Sequence, residues 1–497
     1  MKQTELSSFS DLAKLIFSLK QKLDDKYEYV NSRIIEGKNP YIKLNQDQSI
    51  IIETPPTEKT ETKYIADLLE QSGFIPIYQV LSEINILTKF TRFFKHHSIK
   101  NIKSTPPPEL FIAGIIGLGS NIGINRMSQI SIGINKNSLI NSVKWYFDAQ
   151  SILNANDSIL QLINQLSLPN VFIEDSTTLH GSSDGMKVAV GVESILANFS
   201  FKYFGKDKGV SVYTFIDERQ VLFHALVMSS TEREASYVID GLLQNTVSKI
   251  KIHSTDTHGY TEIIFAITYL LGITFAPRIK QVSKQRLYSF LPKKFHEERG
   301  DIILPSRNIS NKLIEDNWQD VLRFMATIKL KEVTASTLLK RLSSYARANP
   351  LYKALKEFGR IVKSFYILTY FDDVRLRQRV DKQLNKVELA NKFSHAVFHA
   401  NDQEFKQGGT EEQEIAILCK TLIQNAVILW NYLYLSQLLT NCVYSKEREE
   451  MIFLIKQGSV ITWLHINFYG QFIFKKYRPS IDNLFDINKI LSLRINN

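Results

Sequence analysis

The 497-residue chain is 44% hydrophobic and 22% charged, the balance of a folded protein large enough for roughly two to four domains. Lysine and arginine outnumber aspartate and glutamate 61 to 50, a net charge of +11 that suits a polyanionic partner, nucleic acid first, and equally a merely basic proteome. Two cysteines, Cys419 and Cys442, exclude a thiolate zinc site and suit a reducing compartment, and the longest uncharged apolar run, IIFAITYLLGITFAP at 263–277, stays short of the ~20 residues of a spanning helix.

Residues 1–62 are mixed and polar; MKQTELSSFSDLAK lacks the apolar core of a signal peptide, and the charge-rich PPTEKTETK predicts a boundary. Residues 63–168 predict helices, because ADLLEQSG, VLSEINILTKFTRFF and SLINSVKWYFDAQSILNANDSILQLINQL repeat apolar residues every three or four positions. TPPPE (105–109) breaks them, since proline removes a donor and disfavours helix in the residue before it. IIGLGSNIG (115–123) is spaced G-x-G-x-x-x-G and lacks the strand–helix unit of a dinucleotide loop. It predicts a tight connection between helices, and no organic cofactor is expected.

The character changes over residues 169–290. VFI and MKVAVGV read as strands, and VSVYTFI and VLFHALVM as a hairpin around the turn DERQ. Thr231 to Glu234 predicts a capping box, opening a helix with Ala235, Val238, Ile239, Leu242 and Leu243 on its apolar face. KIKIHSTD reads as a strand, YTEIIFAITYLLG as a helix closed by Gly272, and ITFAPRI as a further strand. Three strands, helix, strand, helix, strand is the order of an α/β, RNase-H-like sheet, in which parallel strands extend three antiparallel ones through helical crossovers. Residues 291–385 predict an almost wholly helical stretch. Further helices follow over 386–440, broken by the glycine pair at 408–409, and 441–497 is aromatic-rich and partly strand-like.

Acidic residues fall at telling places in that order. Asp184, in HGSSDGMKVAV, opens a predicted strand shared with Met186, Val188 and Val190 by parity, and Asp256 ends the fourth strand. Ligands of such sheets bind beyond the carboxyl ends of the strands. Two carboxylates facing each other there repel unless a cation such as Mg²⁺ lies between them. In HSTDTHGYTE, His253 lies three residues before Asp256 and points to the opposite face, while His258 falls in the turn beyond.

A third carboxylate is Glu388, on a helix whose polar stripe is Asp381, Asn385, Glu388, Lys392 and His395 and whose buried stripe is Leu389, Phe393, Ala396 and Val397. Glutamates on such stripes are usually just solvated, and Glu174, Asp175, Asp240, Asp372 and Asp373 compete on equal terms. Arg375, Arg377, Arg379, Lys382 and Lys386 precede Glu388 as either a solvated face or a phosphate-binding one. Arg278, in FAPRIK, suits a phosphate or a structural carboxylate equally.

SSDG, YVIDGLLQN, HSTDTHGYTE, FAPRI, LNKVE and LHINFYGQFIF, in this order and preceded by GSNIGINRMSQIS, resemble the Tn-three (class II) replicative transposases of bacteria. The resemblance covers residues 65–497 and implies an RNase-H-like catalytic core interrupted by an all-helical insertion (291–385), with helical N- and C-terminal parts. It implies a triad of Asp184, Asp256 and Glu388 holding two Mg²⁺ or Mn²⁺ ions for nicking of transposon 3′ ends and strand transfer. DNA contacts are then expected from Arg278, Arg375, Arg379, Lys382, Lys386 and Lys392. The expected partners are transposon ends and target DNA in a homodimer, without a membrane, in the bacterial cytoplasm at the nucleoid. Family members are much longer, with end-binding domains in an N-terminal half that has no counterpart in residues 1–62. An N-terminally truncated transposase is therefore expected. The rival readings are a catalytically silent DNA-binding remnant or regulator of a full-length transposase, and a general RNase-H-like nuclease.

Overall fold

The computed structural model describes residues 6–45, 50–56, 62–99, 105–175, 177–245, 249–345, 348–474 and 485–495. Most of the boundary read in PPTEKTETK falls on residues 57–61, outside the described residues.

The polar N-terminal segment holds a long helix, α1 (Leu12–Ile35), started by Asp11, whose side chain accepts from the Lys14 amide. Leu23, Tyr27, Val30 and Ile34, at helical spacing, form its buried face. Its C-terminal end is tied to a distant part of the chain, with Arg33 Nε donating to Asp372 Oδ1 at 2.7 Å. Farther on, Pro107 and Pro108 open α2 (Pro108–Gly119), where the missing amide costs nothing. GSNIG is the expected tight helix connection: Asn121 (φ 60°) and Gly123 (φ 82°) turn the chain in the left-handed region. Asn121 Nδ2 then clamps the carbonyls of Ala400 and Glu404. Helix α3 (Ala149–Gln165) is capped by Asp148.

The sheet follows. Its strands are β1 (Leu179–Ala189), β2 (Asn198–Phe199), β3 (Lys208–Asp217) and β4 (Leu222–Ser229), then β5 (Ile250–Thr255) and β6 (Thr274–Phe275). In space the order is β6-β5-β1-β3, with β4 and the short β2 both on the far side of β3. The β1–β3–β4 ladder is antiparallel, and β5 and β6 add in parallel. The crossovers are α4 (Ala235–Gln244) and α5 (Glu262–Leu270). Three antiparallel strands with parallel additions through helical crossovers follow the sequence reading, and the short β2 is an addition to it.

Three local expectations need correction. VFI is not a strand; Leu168–Phe172 form a 3-10 turn, with Pro169 in its first turn. Asp184 does not open β1 but lies in its middle. The preceding HGSS extends the strand by pairing with β5 and β3, a stretch without the apolar alternation that reveals strands. The capping box does not form. Helix α4 begins at Ala235 without a side-chain cap, and the Glu234 carboxylate instead lies against Gly185 of β1.

Helices α6 (Pro350–Asp372) and α7 (Val374–Val397) meet at Asp373, whose side chain caps α7 through the Leu376 amide. The glycine pair at 408–409 precedes α8 (Thr410–Asn441), the longest helix in the described residues. By length and composition α8, and not the shorter apolar run at 263–277, could cross a membrane. However, 94% of its apolar window is buried inside the protein, against α2, α3, α7 and β4. Its polar side chains are used there: Asn425 accepts from the Leu222 amide and donates to the Leu222 carbonyl and to Asn156. The tail contributes two short strands, Ile466–Asn467 and Phe472–Ile473, which pair with residues 75–76 and 131–132.

Candidate active site

Parallel pairing of β1 and β5 aligns Ser182 with Ser254 and Ser183 with Thr255, so Asp184 and Asp256 are next in register. Side chains alternate across a strand, and both aspartates share the parity of Ser182, whose hydroxyl donates to the Gln383 carbonyl of α7. That face is the one α7 covers. From α7, Asn391 Nδ2 donates to Asp184 Oδ2 at 3.1 Å, and Glu388 lies three residues earlier on the helix.

Arg278 joins the remaining pair. The segment after β6 continues alongside β5, with the Ala276 amide donating to the His253 carbonyl and the Arg278 amide to the Thr255 carbonyl. The Arg278 guanidinium is thereby held beside Asp256, with Nη2 3.2 Å from Asp256 Oδ1 and 3.8 Å from Glu388 Oε1. Lys280 Nζ stands 3.9 Å from Asp256 Oδ2. Thus Asp184, Asp256, Glu388 and Arg278, four of the residues singled out in the sequence, come to one place.

Their electrostatics differ. Burial pushes the Asp184 carboxyl up to about 6, and neighbouring Asp256 and Glu388 add to the rise, against hydrogen bonds from the Gly185 amide and Asn391. Burial also pushes on Asp256, but the Thr257 amide, Arg278 and Lys280 outweigh it and hold the group below the usual carboxylate range. Glu234, absent from the sequence-based set, is raised to about 7 by burial and by Asp184 and Asp256, with Lys187 opposing. As they stand, no three His, Cys, Asp or Glu side chains among the described residues enclose a metal ion. Arg278 provides the positive charge between Asp256 and Glu388.

His253 points to the other face, as parity predicts. Its Nε2 is 2.8 Å from Ser183 Oγ, which donates to the Tyr213 hydroxyl, and its ring stacks on Phe215. Burial pushes it down to about 3, so it is a neutral core imidazole. The His258 backbone lies in the 3-10 turn Thr257–Gly259.

The competing acids are employed elsewhere. Asp240 accepts from the Ala335 and Ser336 amides, Asp372 from Arg33, and Asp373 caps α7. Asp175 closes a turn onto Thr177 and Thr178, and Glu174 pairs with Arg379 and Lys382.

The basic stretch of α7 divides. Arg377 is buried and donates to Thr54, Glu53, Tyr370 and Phe371, a structural role that spacing did not separate from its neighbours. Arg375, Arg379, Lys382 and Lys386 line an open cleft of about 680 Å³, joined by Lys456. Arg379 is also 3.2 Å from Glu218, and Lys386 donates to the Glu218 carbonyl. Lys392 is exposed on the stripe of Glu388. Asn391 and Lys280 join Glu234 as residues of the site that sequence reasoning missed. Spacing held the signal for two of them, since Asn391 is one turn beyond Glu388 and Lys280 has the parity of Arg278.

Comparison with known proteins defines the class. A family model described as "Tn3 transposase DDE domain" matches residues 79–472. The chain is 31% identical over 471 residues to the transposase for transposon Tn1546 of Enterococcus faecium, covering 94% of this chain and 45% of that protein. It is 32% identical over 463 residues to the transposase for transposon Tn2501 of Escherichia coli, and 29% identical over 451 residues to that for transposon gamma-delta of Escherichia coli strain K12. These alignments cover 91% and 88% of this chain, and 45% and 43% of the relatives. The chain belongs to the Tn3 transposase family. It spans a little under half the length of these relatives.

Proposed function

We propose that this chain carries the DNA-cutting and joining centre of a class II transposase, with Asp184, Asp256 and Glu388 as its catalytic carboxylates on an RNase-H-like core. The observation that carries this reading is the convergence of three acids from separate segments at the carboxyl end of β5, where burial first, and then the nearness of Asp256 and Glu388, raises the Asp184 carboxyl. Like charges gathered at that cost are characteristic of functional sites. Residues 291–385 are then an insertion between the second and third acids.

The donor chemistry, three carboxylates, suits a hard divalent cation. As the side chains stand, however, they do not close around one point and Arg278 occupies the place between Asp256 and Glu388, so holding a cation requires Arg278 to move aside. Asp184, Asp256 and Glu388 would hold Mg²⁺ or Mn²⁺, which supplies activation of a water or 3′-hydroxyl and stabilisation of the leaving oxygen. The chain's own groups do the rest. Asn391 orients the Asp184 carboxylate, Arg278 and Lys280 keep Asp256 ionised, and Arg278 meets the scissile phosphate. Arg375, Arg379, Lys382, Lys386 and Lys392 contact the DNA backbone. Transposon ends and target DNA are the substrates, handled by a homodimer.

A nicking assay with Mg²⁺ or Mn²⁺, on DNA carrying or lacking a transposon end, tests the reading. Metal-dependent cleavage abolished by Asp256→Asn supports it. Cleavage indifferent to that substitution removes Asp256 from the centre, and salt-sensitive DNA binding without any cleavage favours a silent regulator. Cleavage of both DNAs alike favours a general nuclease.

A further inference from the structure

Between β1 and β3 the chain makes an excursion, residues 190–207, that the carboxylate site does not use. It contains β2 and a single helical turn, Phe201–Phe204, closed by Gly205 at φ 61°. One ring anchors it: Phe204 lies directly over Gly209 of β3, leaving no room there for a Cβ. The other rings face solvent, with Phe199 63%, Phe201 86% and Tyr203 49% exposed. Burial would be worth far more to such side chains than exposure.

Lysines are interleaved with these rings. Lys187 and Lys202 stand 5.3 and 4.8 Å from the centre of the Tyr203 ring, and Lys208 stands 5.1 Å from that of Phe199. Lys206 is exposed beside them. Only Glu193, paired with Lys208, and Asp207 oppose these charges on the excursion. Solvent-facing rings set among ammonium groups match single-stranded nucleic acid, whose bases stack while its phosphates meet the cations.

The surface lies apart from the carboxylates. Lys187, three residues from Asp184 on β1, has the opposite parity and faces the other side of the sheet. The side of β1 that β5 leaves free is closed at Ala189 and Gly191 by backbone hydrogen bonds to Phe405.

We infer that Phe199, Phe201 and Tyr203, with Lys187, Lys202, Lys206 and Lys208, form a stacking surface for unpaired bases of single-stranded DNA. This rests on the DNA-cutting reading above, and its test is separable from it.

The probes are a 20-nucleotide oligo-dT and a duplex of equal length, titrated by fluorescence anisotropy against the full chain in an Asp256→Asn background. The expected result is single-strand binding that falls at least about tenfold in Phe199→Ala/Phe201→Ala/Tyr203→Ala, with duplex affinity unchanged. Phe201→Tyr with Tyr203→Phe, which keeps the rings, retains binding. Unaltered single-strand affinity in the triple variant overturns the inference, as does equal loss for both probes. A change of oligomeric state with binding intact also overturns it and marks a protein contact instead. Duplex binding without single-strand binding ends this inference and leaves the transposase reading standing, whereas binding of neither probe ends both.

Discussion

The two flanks of α7 carry opposite charge and opposite fates. Toward β1 and β5 the helix presents Glu388 and Asn391 to a place where carboxylates accumulate and Asp184 is pushed up to about 6. Toward the cleft it presents Arg379, Lys382 and Lys386, whose charges are met by Glu174 and Glu218. Burial lowers Lys386 to about 8, against the pull of Glu218. Both flanks read as polar stripes in sequence. Burial distinguishes them. On the acidic flank Arg278 and Lys280 meet Asp256 and Glu388 but leave Asp184 buried beside both acids without a cation, a cost that persists where chemistry needs it, whereas cations met by acids can serve the fold alone.

The largest expected effect lies on the acidic flank. Asp256→Asn keeps the shape of the side chain and removes its charge, so nicking should fall on the order of 1,000-fold or more in a single-turnover assay. Nothing comparable should follow from Lys382→Ala on the other flank. If the two losses were similar, the contrast between the flanks would collapse.

Between those extremes stands Arg377, which shares the basic run but not its surface. Its guanidinium donates to Thr54 Oγ1 and to the carbonyls of Glu53, Tyr370 and Phe371. Arg377→Ala leaves buried acceptors unmet and should cost about 3 kcal/mol in urea unfolding.

The acidic flank also predicts a pH signature. The folded-state value of Asp184, about 6, lies above the roughly 3.9 of an unperturbed aspartate. A carboxyl raised on folding contributes stability below its unfolded value and loses it as pH rises through the folded one. Without divalent cations the protein should therefore lose on the order of 2–3 kcal/mol from this group between about pH 4 and 6. Thermal melts of wild type and Asp184→Asn compared across that window isolate the effect, because the substitution removes the slope. Millimolar Mg²⁺ should flatten the wild-type slope by stabilising the ionised form. A slope unchanged by the substitution would deny the site its strain.

Periodicity made most of the architecture legible. The apolar alternation of VSVYTFI and the three-four spacing behind Ala235 both appear where expected, as β3 and α4. It failed where burial is achieved without apolar side chains. HGSS extends β1 through backbone pairing, and a few polar residues disguised the apolar character of α8. The site was legible in part. Parity separated His253 from Asp256, but spacing alone left Glu388 level with five other acids, and resemblance chose among them. The structure gives each of those five a hydrogen bond or ion pair elsewhere. Glu234 was visible in the sequence but assigned to a cap, because a short-range rule cannot register that β1 passes beside it.

The smallest expected effect sharpens the comparison most, because it asks whether the basic flank serves DNA at all. Lys382 is half exposed, 3.4 Å from a Glu174 carboxylate that is itself substantially exposed. Solvent screens such a pair, so Lys382→Ala should change stability by less than about 1 kcal/mol. If the flank only supports the fold, DNA affinity should stay within error as well. If phosphate competes with Glu174 for the ammonium, affinity should drop a few-fold and the log–log salt dependence should become shallower by about one ion. Glu174→Gln then provides the opposing arm. Freeing Lys382 from its acid, with Arg379 still held by Glu218, should tighten DNA binding, and unchanged affinity in both variants would confine the cleft to a structural role.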